Sequence, residues 1–569
     1  MNESFLETIR NCDVVSFDVF DTLLIRPFIY PTDVFHYMES ILENRDGFAQ
    51  ARVKAETKAR KTRPVEITLN DIYSVIDDEY NDLSDNEVEF ETSLIAPNPH
   101  TTNLLNMAVD SGKEVILTSD MYLPKKDVEG MLGKCGILGF NDLYLSSEYG
   151  MTKHDGSLFR HILSEKQIRA DSMVHIGDNV RSDLRIPSGM GIRCIHIDAP
   201  IRRYLDENRR SERFYRKTRG LDRSIIVAMD MLHCINAMGY QDDSDKYYNL
   251  GFRYGGPLAY AYAEHLGRNI PEGSLALFAS RDGYSTMRVF ENLFPDRCKT
   301  RYIHAQRLIS HLTSDSKLPY GIPENRESGC RHTTAVMKSI LNSLSEDLGI
   351  TSVPDGCHEI TEMYYRFLPK IDHLRHKKHD EYSSYIRNIC KDPERIDLID
   401  STTKEFTSQK LLESILEKDV IGHYMMTMAE NKELEYSEFH RRHGKRLIDV
   451  NVPEYLLCSP EPPLSGWSGD APTYMPDPPP WEIARMEAYP KISDGEFDYS
   501  TVMKSIFSAG LPELKGDSVL EWALIPAMRD NPYRNLLDDV MWASSPDHSN
   551  WRHLIPRPTD ILGMLLDRL

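Results

Sequence analysis

Short apolar runs that stop at polar clusters set the pattern of the first 200 residues. Val14–Phe17, Val115–Thr118, Asp142–Leu145 and Met173–Ile176 each fit a buried strand. Helical spacing separates the later ones, as in Lys126–Leu132 and Leu158–Ser164. Strands alternating with helices predict an α/β fold, a parallel sheet covered on both faces. The stretch 27–105 reads as helix in three pieces, DVFHYMESILENR, FAQARVKAETKARK and LNDIYSVIDDEYNDL. An all-helical insertion at that point sits as a cap above the strand ends.

A second alternating region opens near Tyr247. Leu275–Ala279, Tyr302–Ala305, Ile396–Ile399 and Val420–Met425 read as strands, and the helical pattern TMRVFENLF follows the first. This predicts a second parallel α/β domain. The stretch 459–480 is rich in Pro, Gly and Ser and reads as an ordered loop or boundary, with a mainly helical region after it. The expected divisions are a core of 1–26 with 106–200, a cap of 27–105, a basic helical linker of 201–245, a second α/β domain of 246–450, and a C-terminal region of 451–569.

Bulk numbers narrow the class. At 569 residues the chain exceeds one core, and about three to four domains are expected. A net charge of -21 argues against nucleic-acid binding, because phosphate backbones need compensating Lys and Arg. The stretch 201–223 is the exception, with nine Lys/Arg against four Asp/Glu. It reads as a solvated linker helix, or as a docking face for phosphates or an acidic surface. No run reaches the roughly 18 apolar residues of a membrane span, and MNESFLETIR lacks the basic-then-apolar order of a signal peptide. Nine scattered cysteines with no CxxC pair suit reduced thiols in a cytoplasmic protein.

Candidate chemistry lies in four stretches at the predicted strand ends: FDVFDT (17–22), LTSDMY (117–122), MTKHDGSLF (151–159) and HIGDNVRSD (175–183). In a parallel sheet such loops converge on one crevice. They bring a carboxylate, a small hydroxyl, a lysine and an acidic pair. That inventory suits phosphoryl transfer: an Asp attacks phosphorus, a hydroxyl and an ammonium hold the equatorial oxygens, and carboxylates bind Mg2+.

The order and spacing resemble the haloacid-dehalogenase (HAD) superfamily, over roughly residues 10–200. The resemblance implies Asp18 as nucleophile, Thr22 as supporting hydroxyl, Ser119 as phosphate-binding hydroxyl, and Lys153 as charge-balancing lysine. It implies Asp178 and Asp183 as the acidic pair, and Mg2+ held by Asp18, Asp178 and the main-chain carbonyl of Phe20. The insertion at 27–105 matches the family's cap, and the substrate implied is a phosphorylated small molecule.

Phosphatases of that family carry Asp two residues after the nucleophile as general acid, and this chain has Phe20 there. Three readings follow. Asp21 substitutes as the acid, the leaving group needs no acid, or the site binds phosphate with little turnover; in the latter two Asp21 is a simple turn residue, the role its position first suggests. The family's dehalogenases also have an aromatic at that place, but they lack the GD-x4-D loop and do not use Mg2+. Dehalogenation therefore ranks below phosphoryl transfer.

Three other features carry expectations. Arg52, Glu56 and Arg60 recur at i, i+4 and i+8, which gives a salt-bridged row or, if the face looks into the crevice, arginines that bind an anionic substrate. SRDGY (280–284) ends a strand, Arg307 follows the next, and Asp400-Ser401-Thr402 follows the third. These loosely resemble an α/β region of larger HAD-like proteins found beside polysaccharide-building enzymes, although the third loop, Gly-rich in that pattern, reads DSTTKEFTS here. The resemblance points to a sugar phosphate or glycan precursor as substrate of the Asp18 site, and Arg281, Asp282 and Arg307 are candidates for a second functional site; in the binding-module reading the second half engages a protein partner or a glycan. The alternative is a structural Arg–Asp pair that pins the turn. His373, His376 and His379 have the spacing of one helix face and lack a cysteine or carboxylate at ligand spacing.

Overall fold

The computed structural model describes residues 2–63, 66–237, 245–313, 331–391, 393–441, 448–528, 531–540, 542–544 and 551–553. The chain forms two compact units, 1–243 with 503–512 and 244–502 with 513–569. The expected three to four domains reduce to two because the cap and the basic stretch fold with the first sheet, and most of the C-terminal region folds with the second.

In the first unit, β1 (Val14–Phe17), β2 (Glu114–Ser119), β3 (Asp142–Leu145), β4 (Met173–Gly177) and β5 (Arg193–His196) form a parallel sheet in the order β3-β2-β1-β4-β5. Val14, Val15 and Phe17 are fully buried, as a central strand covered on both faces requires. Each such side chain contributes about 1.5–3 kcal/mol by leaving water. The sequence reading missed β5. Its residues, RCIH, are only half-buried and carry no apolar run.

After β1 the chain enters its insertion through Leu24–Ile25, which pairs antiparallel with Ala96–Pro97 on the way back. Between these lie α1 (Asp33–Ile41), α2 (Phe48–Thr62) and α3 (Ser84–Leu94). The next helix, α4 (Pro99–Asp110), begins at an Asn98 cap and packs on β2. The cap therefore ends near residue 97, short of the expected 105.

The Arg52 row is the salt-bridged one. Arg52 is fully buried and pairs with both oxygens of Glu87 (2.6 and 2.7 Å) and with Glu56 at 3.2 Å. Its guanidinium lies over the rings of Phe35 and Tyr122. Arg60 is half exposed and pairs with Glu56 and Glu66. The expectation that these two arginines bind substrate is thus corrected: their donors are already turned to carboxylates of the cap.

The basic stretch is also corrected from linker to packed structure. Its helix Leu221–Ala237 buries Ile225, Ile226, Val227 and Met229. Ser224 in it accepts a bond from the Ile29 N–H at 2.7 Å and donates to Asp33 at 2.5 Å. Most of the counted charges lie on Pro200–Glu207 and Arg209–Lys217, while the apolar stripe begins just beyond the counted stretch.

The second unit holds β6 (Leu275–Ala279), β7 (Lys299–Ile303), β8 (Ile396–Thr403), β9 (Ile421–Thr427) and β10 (Tyr436–Arg441), parallel in the order β7-β6-β8-β9-β10. The sequence reading missed β10, whose charged residues suit an edge. The helices are α5 (Gly256–Asn269), α6 (Gly283–Leu293), α7 (Cys357–Ile389), α8 (Thr407–Leu416), α9 (Ile448–Leu456) and α10 (Pro480–Ile506). Within the Pro-rich stretch, Leu464–Ser468 and Ala471–Tyr474 form a hairpin. His373 and His376 are exposed on α7, while His379 bonds the Thr313 carbonyl. No helix among the described residues is long and apolar enough to cross a membrane.

Glu496 on α10 gives one test of this packing. It is fully buried, and among the described residues only the Ser285 hydroxyl and the charge of Arg288 act to ease its carboxylate. A Cβ at Gly255 would fall 2.2 Å from its Oε1, so only glycine admits it. Burial pushes its carboxyl well above the ordinary range. A carboxyl raised by folding holds a proton that the unfolded chain releases, so stability is lost as pH rises. Glu496→Gln should therefore stabilise the protein by about 1–3 kcal/mol at pH 8. In urea unfolding the gain should fade toward pH 5.

Candidate active site

Four loops meet at the C-terminal edge of the first sheet, where the strand order turns at β1 and β4. Asp18 follows β1 directly and is almost fully buried. Its Oδ2 accepts from Thr22 Oγ1 at 2.9 Å, and its Oδ1 meets Lys153 Nζ at 2.5 Å. The same ammonium reaches Asp183 Oδ1 at 2.7 Å. The oxygens of Asp18, Asp178 and Asp183 lie within 4.8 Å of one another, and no other such His/Cys/Asp/Glu group occurs among the described residues.

Local sequence explains the placement. Gly177 is required because a Cβ there would lie 2.5–2.7 Å from the Asp183 carboxyl. Asn179 opens the next turn by accepting from the N–H groups of Arg181 and Ser182, and its own N–H donates to Asp183 Oδ2 at 2.9 Å. Asp120 accepts from the backbone N–H of Lys153 (2.7 Å) and His154 (3.2 Å), which fixes the lysine loop. Asn98, at the exit of the cap, donates to the Thr22 carbonyl at 2.9 Å. Ser119 is buried at the end of β2.

A residue that sequence reasoning passed over supports this group from below. His175 is fully buried in β4, with Nε2 3.0 Å from Asp183 Oδ1 and Nδ1 2.8 Å from Ser16 Oγ. Ser16 in turn bonds Thr118. A neutral imidazole satisfies both contacts, donating to the carboxylate and accepting from the serine. Burial lowers the His175 pKa, consistent with that state. The legible signal was one polar residue inside each of three apolar strands, Ser16, Thr118 and His175, of which Ser16 and His175 are register partners.

The electrostatics follow from three carboxylates sharing one ammonium. Burial, then the charges of Asp183 and Asp178, push Asp18 up against the pull of Lys153. Burial also works to raise Asp183, yet Lys153 and His175 hold it below the carboxylate range. Asp178 is pushed up to about 6 by burial and by the charges of Asp21 and Asp183.

Phe20 and Asp21 follow Asp18 on the loop after β1. Phe20 is buried, with the Arg26 guanidinium 4.6 Å from its ring centroid, and Arg26 pairs with Glu91 of α3 at 2.8 Å. Asp21 takes a left-handed backbone (φ 59°), and burial raises its carboxyl. Its charge acts on Asp178, and Arg26 and Arg202 act on it. Arg202, exposed beyond β5, was also missed; it stood inside the stretch read as linker. Arg281, Asp282 and Arg307 belong to the second unit and are not part of this group.

No family model matches the chain, and no curated protein does. Among solved structures it is similar to the L-2-haloacid dehalogenase from Xanthobacter autotrophicus with chloropropionic acid covalently bound, at 11 % identity and TM-score 0.26 over 35 % of this chain and 83 % of that one. It is similar to a haloacid dehalogenase-like family hydrolase from Xanthomonas campestris at 17 % identity and TM-score 0.27, over 33 % of this chain and 82 % of that one. It is also similar to a HAD family enzyme from Bacteroides thetaiotaomicron, a magnesium complex, at 15 % identity and TM-score 0.25, over 33 % and 94 %. The strand order, the helical insertion after β1 and the gathering of Asp18, Lys153, Asp178 and Asp183 make the first unit an α/β domain with its charged groups at one sheet edge.

Proposed function

We propose that the first unit is a phosphohydrolase or phosphotransferase that works through an aspartyl-phosphate on Asp18. The observation that carries the reading is Lys153, whose ammonium bridges Asp18 and Asp183 while Asp178 stands beside them half-buried. Three carboxylates against one ammonium leave excess negative charge, and the donors are all hard oxygens. That set fits Mg2+, held by Asp18, Asp178 and the Phe20 carbonyl. Bound there, the ion supplies charge stabilisation for the transferring phosphoryl group.

The chain's own groups account for the rest. Thr22 and Lys153 orient the two Asp18 oxygens, so that one faces an incoming phosphorus. The Ser119 hydroxyl and Lys153 hold the equatorial phosphoryl oxygens. An Asp18 oxygen bonds to phosphorus as the bond to the leaving oxygen breaks, and Asp21 gives that oxygen its proton. Water then attacks phosphorus, Asp21 takes the proton back, and the Asp18–phosphorus bond breaks to release phosphate. Asp21 serves because burial raises its carboxyl, which favours the protonated form, and its charge is felt at Asp178. A sugar phosphate or glycan precursor is the substrate class we infer.

Asp21→Asn tests the acid. With Mg2+ present it should lower kcat for sugar phosphates by about 10²-fold or more, and change hydrolysis of acetyl phosphate, a good leaving group, only slightly. Equal losses on both would remove Asp21 as acid. Phe20→Asp should raise turnover of sugar phosphates. If wild type and Phe20→Asp are both silent on every phosphate ester, the unit is a phosphate-binding module.

A further inference from the structure

The second sheet has its own turning point. The chain runs outward from β6 to β7 on one side, then from β8 to β9 and β10 on the other, so the order reverses between β6 and β8. Helix α6 after β6 packs against α5, whereas α8 after β8 packs against α7. The two connections thus leave to different layers, and the strand ends between them stand at a switch point, the place where open α/β sheets bind ligands.

The side chains gathered there are polar and come from five elements. Ser401, at the end of β8, donates to Asp282 after β6 at 2.6 Å, which joins the two loops. Beside them stand Arg281, whose nearest carboxylate is Glu482 of α10 at 3.6 Å, and Asp400. Glu454 on α9 acts electrostatically on this group, as does Arg307 beyond β7. Arg307 is exposed and has no ion pair to a described residue. The neighbouring Gln306 has a buried Oε1 with no hydrogen-bond partner among the described residues. A buried acceptor left without a donor among the described residues is open to a ligand hydroxyl.

The chemistry of the lining selects the ligand. Asp282, Asp400 and Glu454 do not gather within metal-ligand distance, so a bare cation does not fit. Separated carboxyls suit vicinal hydroxyls, which can donate to one group and accept from the next. Burial and mutual repulsion push Asp400 up to about 7 and Glu454 up to about 8, so both states are available to them. The two arginines suit a phosphate.

We propose that the switch point between β6 and β8 is a second ligand site, which takes a phosphorylated sugar with its phosphate on Arg281 and Arg307 and its hydroxyls on Asp282, Asp400, Glu454 and Gln306. The site is independent of Asp18 and does not rest on the reading of the first unit.

Calorimetric titration of the full chain tests it, with glucose 1-phosphate, uridine diphosphate glucose, glucose and inorganic phosphate as probes. Either phosphorylated sugar should bind at least about tenfold more tightly than phosphate or glucose alone. Whichever of the two binds better identifies a free or a nucleotide-linked sugar. Arg307→Ala and Asp400→Asn should each weaken that binding by about tenfold and leave hydrolysis at Asp18 unchanged, whereas Asp18→Asn should leave the binding intact. Arg307 is exposed, so its truncation keeps the fold. No binding of either sugar, or binding that both variants retain and Asp18→Asn removes, overturns the proposal.

Discussion

Asp18→Asn should lower phosphate-ester turnover by at least about 10⁴-fold, on the scale seen when a covalent nucleophile is removed. The amide cannot reproduce the carboxylate's two contacts. With its NH2 toward Lys153, two donors face each other; with its NH2 toward Thr22, the hydroxyl must reverse. The acid-stable phosphoenzyme should vanish with turnover. Stability should move the other way. Folding raises the Asp18 carboxyl, so its contribution is lost as pH rises, and an uncharged amide removes one member of a repelling trio. An inactive variant that unfolds at equal or higher urea than wild type at pH 8 is the expected outcome. Full activity in it would sink the mechanism.

Lys153→Met should do more harm to the fold. It removes the ammonium that bridges Asp18 and Asp183, both buried, and breaking a buried ion pair from one side costs about 3–5 kcal/mol. Turnover should also be lost. Without the ammonium Asp18 rises further and Asp183 rises from its lowered position, so the penalty should shrink as pH falls and they protonate, and be largest at pH 8. Adding Mg2+ should recover part of the loss and chelation should remove it. Unfolding curves unmoved by Mg2+ in both wild type and Lys153→Met would argue that no divalent ion belongs among these carboxylates.

The loops of the candidate site were readable because each follows a run of apolar residues, and a buried strand ends where such a run meets polar side chains. Val14–Phe17 into Asp18 and Met173–Gly177 into Asp178 are cases of this. What escaped depended on partners far along the chain. Arg52 has Glu56 one turn away, which spacing reveals, but its strongest partner is Glu87 on another helix. His175 is an ordinary polar residue until β1 and β2 place Ser16 and Thr118 beside it. Edge strands β5 and β10 lack the apolar signature because one side of them meets little protein. Asp21 was legible as a carboxylate, but its left-handed backbone, which sets its direction, was not.

The ribbon of Leu24–Ile25 with Ala96–Pro97 makes the helical insertion enter and leave the sheet at adjoining points. To the sheet it is topologically a long hairpin loop. Its closure is set by that ribbon and by the Asn98 bonds to Leu23 and Thr22, whatever lies between. The insertion is therefore exchangeable: a piece of another size or sequence can be spliced at the same two strands without shifting the register of β1 against β2. Selectivity can change by replacing that piece while the reacting groups stay where they are.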